Sequence, residues 1–524
     1  MSDDVSCANP VVTLELVCPA DMVGALERHP ALKAAGRRPR PRALRQTWYD
    51  TAEHECARQD LALAEIAGEW RIGRVGLGWP RRPGTALPVL ASAIHPAALE
   101  EKLGIDLPGP LQPVARLTGQ IRRLTPAHEG VRLDCRILSG TLAAMTHHGP
   151  DAPERAILRI EIEGPLAAAL ALARTVARDL PATPSLVTLP QEALLLAGAK
   201  LRPLPAPALD PAMPTDEALA ILTSGLVSTF LTRLGQIEAR TGAEPVHQAR
   251  VTLRRLRALM LAFRPVLRDI EVTLKPPLAN LKEVLGPARD WDVFLSETVD
   301  PLARSLDAAD AVTDWLKQAA VLRRDAAYLA LNDWLKGPAF RDLALRLIGL
   351  SLGHGWRLPE AAPALENVAE PDAATVAAAP TADEAPNLIG PYTLKCLEHR
   401  WKKTARPTHE LAEMPPPELH GLRIKCKKLR YQTEMFLDVV PGKSGRRLIK
   451  RLSQAQETMG MLNDGAVATE LVRSLRPAGQ NEATDHVLAA EAIGLIRGYG
   501  VGHARDSREA VMQAWRKLVR HDPF

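Results

Sequence analysis

From Val11 to about Leu201 the alternation of apolar and polar residues is short and often interrupted. Runs such as VVTLELV and LRIEIEG have the period of half-buried strands and are broken by proline and glycine, while LAAALALARTVARDL has helical spacing. This part reads as α+β. RPLPAPALDPAMPTDEA, from Arg202 to Ala218, carries five prolines and no apolar period, which predicts an extended linker. Beyond it the apolar residues recur at helical spacing through ALAILTSGLVSTFLTRLGQIEAR, VHQARVTLRRLRALMLAF, LANLKEVLG, DVFLSETVDPLARSL and AVTDWLKQAAVLRRDAAYLALNDWL. A second break, LPEAAPALENVAEPDAATVAAAPTADEAPN, is rich in alanine, proline and acids and reads as a loosely attached insert. Helical spacing resumes at Tyr392. The expected organisation is an α+β domain at 1–201, a linker at 202–218, a first helical half at 219–356, an insert at 357–391 and a second helical half at 392–524.

The two helical halves repeat one another. His247, Arg250, Arg254 and Arg257 recur as His420, Arg423, Lys427 and Arg430, each shifted by 173, and Val251, Leu256 and Phe263 recur as Ile424, Leu429 and Phe436. With a shift of 174, LGPARDWDV from Leu285 matches MGMLNDGAV from Met459. At about 100° per residue, Arg250, Arg254 and Arg257 fall at roughly 0°, 40° and −20°, with His247 near 60°, so the four share one stripe. Leu253, Leu256, Met260 and Phe263 occupy the neighbouring face, which is the core band of an amphipathic helix. Arg255 and its mate Lys428 lie off the stripe. Both helices follow prolines, so each histidine sits near a helix start, where backbone N–H groups favour an anion. One basic helix is an ordinary solvated face. Two in register suggest a duplicated device.

A row of cations repels itself unless something negative is near. No acid lies between Val246 and Arg268, and in the second helix only Glu434 shares the arc. The expected partner is therefore external, a linear polyanion whose phosphates meet arginines one helical turn apart.

Composition changes this picture little. The chain has 524 residues, too many for one core, and 66 lysines and arginines against 61 acids, so any anion preference comes from local clustering. Six cysteines, Cys7, Cys18, Cys56, Cys135, Cys396 and Cys426, form no C-x-x-C pair, which fits a reducing, cytoplasmic setting and gives no zinc motif. The polar start, MSDDVSCANP, and the lack of a stretch of about 18 apolar residues point to a soluble chain without a membrane span.

The patterns H-x-x-R-x-x-x-R-x-x-R and H-x-x-R-x-x-x-K-x-x-R-Y, each at the start of one helical half and followed by LGPARDWDVFL or MGMLNDGAVATELV, resemble the CHAD family, the conserved-histidine α-helical domain. The resemblance runs from about Asp216 to Phe524. It implies two pseudo-symmetric four-helix bundles around a basic channel that binds inorganic polyphosphate through His247, Arg250, Arg254, Arg257, His420, Arg423, Lys427 and Arg430, with Arg255 and Lys428 in a second tier. The N-terminal part is similar to the CYTH family, the triphosphate-tunnel β-barrel. TWYDTAEHECARQDLAL looks like its Y-[FY]-D-T segment, but the opening E-x-E-x-K is reduced to Thr13, Glu15 and Val17, and Ala64 stands where an arginine usually follows. These departures argue against efficient catalysis. Arg159, Glu161 and Glu163 alternate along one strand and so share a face.

The first functional expectation is thus a polyphosphate-binding module that recruits the protein to polyphosphate granules, with no cofactor required. The alternative is a metal-dependent triphosphatase or cyclase in the N-terminal domain, for which Glu15, Glu161 and Glu163 are the candidate carboxylates for Mg or Mn. A further alternative, nucleic-acid binding, is disfavoured by an aromatic content of 4%, which leaves few platforms for base stacking. The acids of the insert, Glu360, Glu366, Glu370, Asp372, Asp383 and Glu384, are read as a screen over the basic groove.

Overall fold

The computed structural model of the chain describes residues 10–33, 39–75, 89–90, 109–145, 153–201, 208–237, 242–305, 311–352, 388–406, 411, 414–440, 442–475, 482–520 and 523. It divides into two compact units, Met1–Ala206 with Leu335–Val368, and Pro207–Trp334 with Ala369–Phe524.

The first unit is α+β. Its elements are β1 (Val11–Val17), α1 (Val23–Arg28), β2 (Arg42–Asp50), α2 (Glu55–Arg58), β3 (Leu61–Ile66), β4 (Glu69–Arg74), β5 (Val89–Leu90), β6 (Gln112–Leu124), β7 (Ala127–His128), β8 (Val131–Arg132), β9 (Asp134–Ala144), β10 (Glu154–Pro165), α3 (Leu166–Asp179), β11 (Thr183–Pro184) and α4 (Leu189–Leu196). Nine strands make one antiparallel sheet in the order β11-β1-β10-β9-β6-β2-β3-β4-β5. A barrel was expected, and among the described residues the sheet is open. Closure needs paired edges, and here each edge strand has two residues, one of them ending in Pro184, which has no N–H to donate.

Alternation along the strands sorts the side chains as the sequence pattern requires. Val12, Leu14 and Leu16 of β1 and Leu158, Ile160 and Ile162 of β10 are buried on one face, where α3 packs through Leu166, Ala169, Leu172, Ala173 and Val176. The other face carries an apolar cluster with Leu117, Leu138 and Leu142 under Leu189, Ala193 and Leu194 of α4, and beside it a charged patch. Where β6 crosses β9, Gly119 faces Gly140, and a Cβ on Gly119 would lie 2.0 Å from Ser139 O. Only glycine allows these two long strands so close an approach.

This unit also takes in α10 (Pro338–Ser351), which lies against α3. Arg341 Nε donates to Ala177 O at 2.7 Å at the end of α3, and Asp342 binds Arg174 and Arg346, each at 2.7 Å. Asp342 is partly buried, but the two guanidiniums outweigh that and hold its carboxyl below the ordinary range. The stretch read from sequence as the first helical half, 219–356, therefore contributes to both units.

The second unit is helical: α5 (Thr215–Gly235), α6 (Glu244–Ala262), α7 (Arg264–Val293), α8 (Asp300–Ser305), α9 (Ala311–Lys336, whose last two residues cross the boundary), α11 (Ile389–Ala405), α12 (Pro416–Met435), α13 (Ser444–Ser474) and α14 (Glu482–Val519). Helix α5 begins at Thr215, inside the stretch read as linker, and the chain before it pairs with the first residues of α11. Ile389 N donates to Met213 O and Gly390 N to Pro211 O, both at 2.9 Å. Helix α5 is 21 residues long and, by length and composition, apolar enough to cross a membrane. In this unit it buries Ala218, Leu219, Val227, Phe230, Leu231 and Leu234, as a core helix does. The acidic residues of the insert lie outside the described residues.

Helices α6 and α12 both stop at a phenylalanine, Phe263 or Phe436, whose N–H closes the last turn onto Leu259 O or Gln432 O. Phe263 stacks on Tyr392 of α11 with centroids 5.1 Å apart and tilts against Phe436 at 5.9 Å, so the halves share core at this point. They share a second core where Trp291, Phe294 and Leu316 meet Ala468, Val472 and Ile496.

Candidate functional site

Helix α6 buries Val246, Ala249, Leu253, Leu256 and Met260, which leaves its basic stripe half-buried beside that band. The stripe lies over α7. Arg250 Nη1 donates to Gly286 O at 2.9 Å and Leu285 O at 3.3 Å and pairs with Asp290 Oδ1 at 3.2 Å, and Arg257 Nη2 donates to Leu278 O at 3.0 Å. An internal acid thus meets the first stripe, from a helix that one-helix geometry does not see. Burial lowers the pKa of both arginines, with Asp290 opposing it at Arg250. His247 is half-buried, and its backbone N–H is already bonded to Ala243 O at 3.0 Å, so it is no open donor at the helix start. Burial first, then the guanidiniums of Arg289, Arg254 and Arg250, hold its imidazole below the ordinary pKa against the pull of Glu244.

In the second stripe Arg423 and Arg430 are half-buried, Lys427 is half-buried and His420 is exposed. Arg423 crosses α13 at Gly460, where a Cβ would stand 2.9 Å from its Nη2; Arg250 crosses α7 at Gly286 in the same way, 3.9 Å from such a Cβ. Each repeat thus lays an arginine over a glycine of the following helix. Arg423 Nε is buried with no hydrogen-bond partner among the described residues. Lys428 is exposed beside Arg400, and partial burial together with that cation lowers its pKa.

The two stripes meet on one aromatic ring. Arg254 Nε donates to Tyr431 Oη at 2.8 Å, and the guanidiniums of Arg254 and Arg430 lie 5.8 and 5.1 Å from the Tyr431 centroid. Glu434 reaches Arg255 at 3.3 Å and Arg430 at 3.5 Å, and Arg430 Nη1 donates to Ser453 Oγ at 3.1 Å. Arg400 Nε donates to Gln432 Oε1 and Gln432 Nε2 to Ala258 O, both at 3.3 Å, which ties α11, α12 and α6 together.

Sequence reasoning passed over Arg289, Arg400, Asp290 and Tyr431. Arg289 and Asp290 stand inside the repeated LGPARDWDV motif, so the signal was present. Their action across helices was not. Asp292 of the same motif is a structural residue, taking hydrogen bonds from Tyr328 Oη at 2.8 Å and Arg324 Nε at 2.7 Å while buried.

In the first unit the three candidate metal carboxylates are each met by an arginine. Buried Arg159 pairs with Glu15 and Glu192 and donates to Ser185 Oγ and Val187 O, both at 3.1 Å. Arg136 lies 3.0 Å from Glu161 and 2.9 Å from Glu163. Among the described residues no cluster of three or more histidines, cysteines or acids is placed to hold a metal ion. Beside these pairs is a cavity of about 260 Å³ lined by Arg71, Arg123, Arg136, Glu161, Leu44 and Ile121, among others. Burial pushes the thiols of Cys18, Cys135 and Cys426 up to about 12, so none of the three is a thiolate at neutral pH.

Residues 225–473 match the family model of the CHAD domain, a span that takes in both basic helices and stops before α14. Among solved structures the chain is similar to the CHAD domain from the plant Ricinus communis, at 25% identity over 62% of this chain and 97% of that one, with a TM-score of 0.47. It is also similar to PptA from Streptomyces chartreusis, at 19% identity over 58% and 99% of the two chains, with a TM-score of 0.40. No curated protein matches the chain. The family match leaves out residues 1–224, whose antiparallel sheet is compatible with a CYTH-like fold, and takes in α10 of the first unit.

Proposed function

The chain carries a CHAD domain at residues 225–473, and from that premise we propose that its helical unit binds inorganic polyphosphate along a basic groove between the two repeats. The observation that carries the reading is the convergence of Arg254 and Arg430, one from each repeated helix, on the ring of Tyr431. A single phosphate needs one cluster of cations; two stripes of half-buried cations that meet end on a chain of phosphates. In this reading α5, α6, α7 and α9 form one bundle and α11, α12, α13 and α14 its pseudo-symmetric mate. His247, Arg250, Arg254, Arg257, His420, Arg423, Lys427 and Arg430 line the groove, with Arg289 beside His247 and Arg255 and Lys428 at its margin as a second tier. No bond in the ligand is cleaved and no cofactor is needed. The binding serves to place a cytoplasmic protein on polyphosphate granules.

The test is a titration with long-chain polyphosphate, tripolyphosphate and single-stranded DNA at physiological ionic strength with magnesium, while phosphate release is followed. Tight binding of the long chain without release is expected, weakening as salt rises. Equal affinity for DNA assigns the groove to nucleic acid. Release from tripolyphosphate favours the second reading, a triphosphatase in the first unit, with the cavity beside Arg123 and Arg136 as its substrate site. Metal-dependent chemistry there has less support, because Glu15, Glu161 and Glu163 already face arginines.

The depressed pKa of His247 makes the binding pH-dependent. A polyanion reverses the cationic field of Arg289, Arg254 and Arg250, raises the imidazole pKa, and so draws in a proton. Affinity is expected to rise as pH falls through the ordinary imidazole value of 6.5 and to level off below the depressed value of the free protein, by up to about tenfold per unit for one proton taken up. Calorimetry in buffers of different ionisation enthalpy counts that proton, and His247→Gln should remove it. In the free protein the sign is opposite. The unfolded chain binds the proton more readily, so this group costs stability as pH falls below the ordinary 6.5.

A further inference from the structure

The repeats differ where they touch. Tyr431 and Glu434 of α12 stand where the register of α6 places Ala258 and Leu261, so the aromatic ring and the acid belong to the second repeat alone. Both are spent on cations of the groove. Glu434 Oε2 lies 3.3 Å from Arg255 Nη2 across the helix pair, and its Oε1 lies 3.5 Å from Arg430 Nε one turn earlier on its own helix. Tyr431 Oη accepts a hydrogen bond from Arg254 Nε at 2.8 Å, and its ring faces both Arg254 and Arg430. Three guanidiniums from two helices are therefore held by two side chains four ångströms or less from their charged atoms.

We propose that Tyr431 and Glu434 form a latch that holds Arg254, Arg255 and Arg430 together in the empty groove, and that a polyanion must displace Glu434 to engage them. This rests on the reading of the groove as a polyphosphate site. Glu434 is half-buried, so its charge is poorly screened and its hold on two arginines competes directly with phosphate. A bound phosphate chain and the Glu434 carboxylate repel one another, so the arginines exchange one acid for the other and the carboxylate turns to solvent. Tyr431 stays behind as a neutral platform that keeps both guanidiniums aligned while the acid leaves. The latch thus sets a threshold: short phosphates, which offer few contacts, do not offset the loss of the Glu434 pairs, whereas a long chain does.

The test compares the wild-type chain with Glu434→Gln, which keeps the shape and removes the charge, and with Glu434→Leu, which restores the residue of the first repeat. Circular dichroism checks that helicity is kept. Affinity for long-chain polyphosphate and for tripolyphosphate is measured at several salt concentrations. Both variants are expected to bind the long chain about 3- to 10-fold more tightly and to gain proportionally more for tripolyphosphate. Their salt dependence should steepen, since each cation freed adds about 0.7 to the slope by counterion release. A merely structural role for Glu434 would leave that slope unchanged. If the wild type binds and neither variant changes affinity or slope, or both bind more weakly, the latch is wrong and the groove assignment stands. If only the variants bind, the latch is a full block. If no form binds polyphosphate, both the latch and the groove reading fail.

Discussion

Replacing Arg254 and Lys427 together by glutamate is expected to lower affinity for long-chain polyphosphate by at least about 100-fold while helicity is retained. Each residue is the middle cation of its stripe, and reversal swaps an attraction for a repulsion at the centre of each repeated helix. Arg254 has the further role of holding Tyr431 Oη at 2.8 Å. A glutamate at 254 can accept the phenol proton in its place, so the local packing has an alternative partner and the fold need not suffer. Both positions are half-buried rather than core. Retention on a polyphosphate column, read against circular dichroism, decides the matter: undiminished retention of the double variant would remove both helices from the binding surface. Single exchanges should fall between, and the coupling between them reports whether one ligand spans both repeats.

In the first unit Arg159→Leu is expected to cost about 3–5 kcal/mol, among the larger single-residue effects in the protein. Arg159 and Glu15 are 2% and 5% exposed, and the arginine also binds Glu192, Ser185 and Val187 O. Burial opposes its charge, yet the two carboxylates outweigh that and hold its pKa above the ordinary value. Leucine would leave the Glu15 carboxylate buried without its cation. The double variant Arg159→Leu with Glu15→Leu should recover much of the loss, because an apolar pair of similar volume needs no solvation. Hydrogen exchange of the β1 and β10 amides localises the effect. A loss below about 1 kcal/mol would mean that the network is not structural and that Glu15 is available for other chemistry.

That network also marks a limit of reading strands one at a time. Period-two alternation correctly placed Arg159, Glu161 and Glu163 on one face, and the pairing of Val17 with Arg159 and of Glu15 with Glu161 sets β1 beside them. It could not tell that Arg136, from β9, would meet both Glu161 and Glu163. Nor did the strand patterns reveal that the sheet stays open among the described residues, since closure depends on which edges meet. The same holds for α10, whose helical spacing was plain, while its place against α3 depended on Gly349 approaching Leu170 and on Arg341 reaching Ala177 O.

The sequence alone determined whatever follows from neighbours along the chain. It set the amphipathic bands of α6 and α12, the two basic stripes beside them and the shift of 173 that relates one to the other. It also singled out Glu434 as the one acid on the arc, because the angle between residues of one helix is fixed by the backbone hydrogen bonds. Only the tertiary structure decided what each cation faces. Arg250 and Arg257 bind carbonyls of α7, Arg254 meets a tyrosine from the other repeat, and Glu434 joins Arg255 to Arg430. Those partners lie far along the chain, and a helix's surface pattern records which residues are polar without recording which polar group another helix brings to them.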